Sequence, residues 1–207
     1  MESDRPPHRA IAVTGGLGTG KSRVARWLAQ KCHYPLYDAD SEVKSLLFPG
    51  EAGWQRLRAC LSVDYFAPDG VLLKGKLRQA IFSDTALRQE VERALHPLVL
   101  ARLQEKMALC HGSCLVEVPL LYEVGWQGYF DTVLVVFAQD EICSRRVSQR
   151  DHVSVEEAIA AIGVQMPILE KVALADYTVD NSGAWSDTLL QLEKISESWS
   201  LDAGKKA

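Results

Sequence analysis

The sequence predicts an α/β fold built on a mostly parallel sheet, and three observations carry that reading. Strand-like and helix-like hydrophobic periods alternate over most of the chain. The run Thr132–Phe137 is apolar nearly throughout, as a strand covered on both faces requires. A glycine cluster, Gly15 to Gly20, separates the first strand-like segment from the first helix-like one. The 207 residues suffice for one core with an insertion, on a soft prior of about 150 residues per domain. With 47% hydrophobic and 24% charged residues, the composition excludes long disorder, collagen and coiled coil.

Taken in order, Ala10–Thr14 is short and apolar and forms the first strand. A helix follows from Lys21, with Val24, Trp27, Leu28 and Lys31 on one stripe, and stops before Pro35. Leu36–Asp38 is the second strand. From Ser41 to His111 there is no strong strand, and Glu51–Cys60, Leu77–Phe82, Asp84–Leu95 and Leu98–Cys110 each predict a helix, so this stretch is a mostly helical insertion. Pro97 separates the last two. The sheet resumes with Cys114–Val118, ended by Pro119, and with Thr132–Phe137, both in central positions. Helices start at Asp140 and at Ser154, where Ser154-Val-Glu-Glu157 has the spacing of a capping box, and Pro167 bounds the second. Tyr177–Asp180 is the fifth strand. Trp185–Trp199 closes the chain as a helix with Leu192, Ile195 and Trp199 on one face, and a frayed tail is expected from Asp202.

Charge and cysteine usage narrow the function. The 23 Lys+Arg against 27 Asp+Glu leave a net charge of −4, which argues against general nucleic-acid binding and requires any anion site to be built locally. No apolar stretch approaches the roughly 18 residues of a membrane span, and Met1–Pro7 is polar with two acids, so neither a signal peptide nor an anchor is expected. Five cysteines, at 32, 60, 110, 114 and 143, form no CxxC pair and suit reduced thiols of a cytoplasmic protein. Cys110 and Cys114 have no second ligand pair and are read as packing rather than as a zinc site.

The strongest chemical signal is Gly15-Gly16-Leu17-Gly18-Thr19-Gly20-Lys21-Ser22, which satisfies G-x-x-x-x-G-K-[ST] between a predicted strand and a predicted helix. Glycines let successive backbone N–H groups turn inward around phosphates, and the helix N-terminus adds its positive dipole end. Lys21 then reaches the β- and γ-phosphates of a nucleoside triphosphate, and Ser22 offers a hydroxyl to Mg²⁺. A dinucleotide fingerprint would need a third glycine where Lys21 stands.

This loop occurs in switches, motors and small-molecule kinases alike. The single asparagine, Asn181, is followed by Ser182, which excludes the N-K-x-D guanine signature of GTPase switches. A kinase needs a carboxylate near the acceptor hydroxyl and mobile basic residues over the phosphates. Asp38-Ala39-Asp40 stands at the carboxyl end of the second strand, where doubly wound sheets hold ligands; the competing reading is that Asp40 caps the next helix. Arg146 and Arg150 share one helix face, as a lid needs, while a solvated basic face explains the same spacing; Arg145 points elsewhere.

With these residues in place, the chain resembles the dephospho-coenzyme A kinase family. The resemblance rests on Thr14–Ser22, Asp38-Ala-Asp40, Leu95-His-Pro97, Val118-Pro-Leu-Leu-Tyr-Glu123, Gln149-Arg-Asp151, Gln165, Ala175-Asp176 and Asp180-Asn-Ser-Gly183, in order and spacing. It implies transfer of the γ-phosphoryl group of ATP, with Mg²⁺, to the ribose 3′-hydroxyl of dephospho-coenzyme A, the last step of coenzyme A synthesis. It further implies a P-loop nucleotide-binding core over 9–40 and 113–207, a helical acceptor-binding insertion over 41–112 and a lid over 142–170. Carried over by position, Asp40 is the catalytic base, with Lys21 and Arg146 acting on the transferred group. Gly15, Gly16, Leu17, Gly18, Thr19, Gly20, Lys21 and Ser22 bind the triphosphate, Ser22 also the metal, Arg150 the phosphates, and Asn181 with Gly183 the adenine end. Asp38, Asp40, Lys74, His96, Leu120 and Leu121 are placed at the acceptor. Glu117 and Glu123 stay open between metal, acceptor and structural roles. Family members commonly carry arginine where Lys74 stands, and lysine lacks the forked contact, which bears on acceptor affinity. The implied partner is a small molecule, with neither nucleic acid nor membrane, and a monomer or weak homo-oligomer is expected.

Overall fold

A computed structural model describes residues 9–204. The elements run β1 (Ala10–Gly15), α1 (Lys21–Cys32), β2 (Leu36–Asp38), α2 (Ala39–Leu46), α3 (Ala52–Cys60), α4 (Lys74–Ser83), α5 (Thr85–Leu109), β3 (Cys114–Glu117), β4 (Thr132–Phe137), α6 (Asp140–Asp151), α7 (Val155–Gly163), α8 (Ile168–Ala173), β5 (Tyr177–Asp180) and α9 (Trp185–Gly204). By its internal contacts the chain divides into two compact units. One comprises the residues up to Tyr37 and from Leu109 onward, and the other is Asp38–Ala108.

The first unit holds the five-stranded sheet, in the order β2-β3-β1-β4-β5. Strand β1 lies in the middle, with Ala12 in parallel register opposite Val116 of β3 and Val133 of β4. All six residues of β1 and all four of β3 are buried, which is why both read as mostly apolar runs, broken only near their carboxyl ends by Thr14 and Glu117, rather than as alternating patterns. Ile11, Val13, Leu115, Leu134, Val136 and Val179 line one core with Val24 and Leu28 of α1 and Leu192, Ile195 and Trp199 of α9. Each such side chain contributes roughly 1.5–3 kcal/mol on full burial. The strand starts are fastened by one repeated device. Asp131 Oδ2 accepts from Ala10 N–H at 2.8 Å, and Asp176 Oδ2 accepts from Val133 N–H at 2.7 Å.

The second unit is helical and packs Leu57, Leu61, Phe66, Leu72, Leu77, Val91 and Leu95 together. Trp54 closes one side, edge-on to Phe66 with centroids 6.4 Å apart and with its indole N–H donated to Gly70 O at 2.9 Å.

Several elements depart from the sequence reading. The two helices expected on either side of Pro97 are one, α5, of 25 residues. Its buried positions Val91, Leu95, Val99, Leu103 and Met107 repeat every fourth residue straight through the proline, and burial along that stripe offsets the roughly 3 kcal/mol a mid-helix proline costs. Of two further short helices, α2 enters the sequence reading only as the helix that Asp40 would cap, and α8 is not expected. Helix α2 directly follows β2, with Asp38 as its cap, and α8 starts after Pro167. The capping box is present as read: Glu157 N–H donates to Ser154 Oγ and Ser154 N–H to Glu157 Oε2. Helix α9 continues to Gly204, so the expected fraying from Asp202 does not set in there; residues 205–207, like Met1–His8, lie outside the described residues.

Candidate active site

The glycine loop leaves the carboxyl end of β1 and enters α1 at Lys21. Two of its glycines adopt the left-handed conformation, Gly18 at φ 80° and Gly20 at φ 87°. Space, as well as conformation, demands glycine there. A Cβ on Gly18 would stand 2.6 Å from Cys143 O, and one on Gly20 2.4 Å from Asn181 Nδ2. The loop is therefore packed closely by α6 at Gly18 and by the turn after β5 at Gly20.

Side chains of the same unit fix the loop's shape. Asn181, only 6% exposed, donates from Nδ2 to Thr19 O at 2.7 Å and accepts from Thr188 Oγ1 at 2.9 Å. Thr19 Oγ1 donates back to Gly16 O at 2.9 Å. Arg146 donates to Gly18 O at 3.4 Å and to Asn181 O at 3.0 Å, tying the loop to the Asp180–Gly183 turn. Leu17 N–H donates to Gln165 Oε1 at 2.8 Å. The Lys21 ammonium reaches back over the loop to Gly16 O at 3.5 Å. Ser22 Oγ donates to Glu117 Oε1 at 2.5 Å; Glu117 is the last residue of β3 and lies opposite Val13 of β1, which brings a nearly buried carboxylate to the loop's helix end.

Such a loop, with a lysine, a hydroxyl beside a carboxylate, and close backing that excludes larger side chains, has the chemistry that polyphosphate binding calls for. Residues 9–187 match the model of a protein family described as dephospho-CoA kinase. The chain belongs to the dephospho-CoA kinase family. A dephospho-CoA kinase from Desulfotalea psychrophila is 35% identical over 185 residues, which cover 88% of this chain and 93% of that protein. The crystal structure of TT1252 from Thermus thermophilus superposes with a TM-score of 0.77 at 31% identity, over 93% of this chain and 98% of that one. A dephospho-CoA kinase from Campylobacter jejuni, at 23% identity and a TM-score of 0.70 over 95% of this chain and 99% of that one, shares the fold.

In this family member the other residues singled out from sequence divide between the two units. Asp38 caps α2, accepting from Asp40 N–H at 3.0 Å and from Ser41 Oγ at 2.9 Å, so both of its oxygens serve the helix start. Asp40, read from sequence as either base or cap, is not the cap; it lies exposed in the first turn of α2. Lys74 opens α4, its ammonium 5.5 Å from the ring centroid of Phe48. His96 sits within α5 rather than between two helices, and burial, partly offset by Glu92, holds its imidazole below its ordinary range. In the sheet-bearing unit, Leu120 is exposed, whereas Leu121 is wholly buried; its side chain is a packing element, not a surface for an acceptor. Gly183 is exposed in the turn after β5. Arg150 is largely exposed and forms a two-pronged pair with the adjacent Asp151.

Glu123, left open from sequence, has a structural partner that sequence reading missed. Lys171 is 0% exposed, pairs with Glu123 at 2.7 Å and donates to Pro119 O at 3.3 Å. Thr188 was missed as well, although it stands seven residues beyond Asn181, on the first turn of a helix. No motif signals either residue. Among the described residues no helix is long and apolar enough to cross a membrane.

Proposed function

We propose that this chain transfers the γ-phosphoryl group of ATP to the ribose 3′-hydroxyl of dephospho-coenzyme A, giving coenzyme A and ADP, the last step of coenzyme A synthesis. The observation that carries the reading is the close-backed loop Gly15–Ser22 with Lys21 folded over it, in a chain that matches the dephospho-CoA kinase model over residues 9–187.

The transfer is direct and in line, without a phospho-enzyme. Backbone N–H groups of the loop and the Lys21 ammonium hold the β- and γ-phosphates, so the donor is oriented before the acceptor arrives. Ser22 Oγ and the Glu117 carboxylate are hard oxygen donors of the kind Mg²⁺ takes, the phosphates and water completing its shell. Held there by Ser22 and Glu117, a magnesium ion would supply positive charge that offsets the charge of the phosphates. Asp40 accepts or orients the proton of the 3′-hydroxyl. Arg146, held by Gly18 O and Asn181 O, shapes the loop and the adenine-side turn at Asn181 and Gly183, and its remaining N–H donors serve the transferred group. The segment 142–170 acts as the lid that keeps water from the phosphoryl group, with Arg150 exchanging Asp151 for phosphate. Residues 41–112 bind the acceptor, with Lys74 and His96, and Leu120 adds an exposed contact. Leu121 supports the turn from within.

The test is ADP release from Mg-ATP alone and with dephospho-coenzyme A, AMP, CMP or shikimate. Release stimulated only by dephospho-coenzyme A, with coenzyme A in the product, is the expected result. Stimulation by another acceptor overturns the substrate, and ATP binding without release under any condition overturns the activity. Asp40→Asn should fold and lose roughly 10²–10⁴-fold in kcat, the usual scale of a general base; a near-normal rate removes Asp40 from that role.

A further inference from the structure

The bond from Leu17 N–H to Gln165 Oε1 decides which way the Gln165 carboxamide faces. A peptide N–H can be met only by the oxygen end, so the amide is oriented by its partner and the NH₂ group lies on the opposite side. Neither N–H of that group meets an acceptor among the described residues. The carboxamide lies along the Gly16–Leu17 peptide, its oxygen 3.9 Å from the position a Cβ on Gly16 would take. The Lys21 ammonium also reaches to this end of the loop, at Gly16 O. In this loop motif the lysine serves the β- and γ-phosphates, so the Gly16–Leu17 end belongs with that outer part of the triphosphate.

The segment that carries Gln165 is firmly held. Met166 N–H donates to Glu123 Oε1 at 3.1 Å, and the same carboxylate pairs with the buried Lys171. Lys171 and Thr14 Oγ1 both donate to Pro119 O, at 3.3 Å each. The chain of contacts thus runs from the end of β1, through the turn after β3, to the residue beside Gln165 and back to the loop at Leu17.

We propose that Gln165 is a triphosphate-binding residue: its Oε1 stays on Leu17 N–H while its Nε2 donates to an oxygen of the terminal phosphoryl group. This rests on the reading of Gly15–Ser22 as the ATP site. It makes Gln165 a reader of the third phosphate, one that ADP does not engage.

The test is calorimetric binding of Mg-ADP and of a non-hydrolysable Mg-ATP analogue to the full chain, beside thermal melting. Gln165→Glu keeps an oxygen for Leu17 N–H and replaces the donor end with a charged acceptor; Gln165→Met is neutral and of similar length, and separates the lost donor from the added charge. Both should weaken the ATP analogue selectively, by roughly tenfold to a hundredfold, the scale of one hydrogen bond to a charged group. ADP affinity should hold, and the melting temperature of Gln165→Glu should stay near wild type. A purely structural tether gives the opposite pattern, with Gln165→Glu behaving as wild type and Gln165→Met losing both nucleotides alike, and that result overturns the proposal. If wild type binds neither nucleotide, the ATP reading itself falls; if it binds both and Gln165→Glu matches it, only the role of Gln165 falls.

Discussion

Asn181→Ala is the perturbation that separates scaffold from ligand contact at the phosphate loop. The side chain makes two bonds in a dry setting, to Thr19 O and from Thr188 Oγ1, and Thr19 and Thr188 are 1% and 0% exposed. Alanine keeps the backbone bonds of residue 181, from its N–H to Phe137 O and from Arg146 to its carbonyl, so the turn itself survives. What it leaves is a carbonyl without its donor and a hydroxyl without its acceptor. An orphaned buried group costs about 1–3 kcal/mol, and the Thr188 hydroxyl escapes part of that by turning to a carbonyl of its own helix, so the expected loss is about 2–4 kcal/mol. For a chain of this size each kcal/mol moves the melting temperature by about 2–4 °C, which gives a drop of roughly 4–16 °C. The assay is thermal and urea unfolding of the ligand-free protein, in a double-mutant cycle with Thr188→Val. Because Thr188 bonds only the Asn181 side chain in this pair, the two losses should not add. A loss below about 1 kcal/mol, or additive losses, refutes the scaffold argument. Unchanged stability with abolished ATP binding would make Asn181 a direct adenine contact instead.

Three further outcomes follow from the geometry. Lys171→Met should cost up to about 3–5 kcal/mol by stranding Glu123, less the share that its 21% exposure lets water recover, and Lys171→Met with Glu123→Gln should regain most of it in urea unfolding. Gly18→Ala places a side chain at φ 80° and 2.6 Å from Cys143 O, so beyond the about 1–2 kcal/mol of backbone strain the loop must shift, and KM for ATP should rise more than stability falls. Burial lowers the His96 pKa from 6.5 and Glu92 opposes it only in part, so as pH falls below 6.5 the unfolded chain takes its proton first. Stability should therefore fall with pH from 6.5 down to the folded pKa, and His96→Gln should flatten that segment of the melting profile.

What could be read from the sequence, and what could not, follows from the range of the interactions involved. Strand β4 matches its expected limits because a strand buried on both faces declares itself by local composition alone, and the partly buried edge strand β2 matches because Pro35 bounds it on one side and the acids Asp38 and Asp40 on the other. The glycine loop was legible for a similar reason: its conformation is demanded residue by residue. Pro97 misled because a local rule about proline was outweighed by burial spread over five residues of α5. Asp38 and Asp40 show the limit more sharply. Both are acids at the start of one helix, and composition cannot say which caps; the structure assigns the cap to Asp38 because its two oxygens meet Asp40 N–H and Ser41 Oγ, while Asp40 lies exposed in the first turn. Lys171 was the least legible of all. A lysine three residues into a short helix reads as surface charge, and only tertiary packing brings it against Glu123, 48 positions earlier, and Pro119 O. The price of burying that ammonium is sensible only if the turn after β3 and the segment bearing Gln165 must be held together. The unpredicted residues of this site are therefore the ones that position the predicted ones.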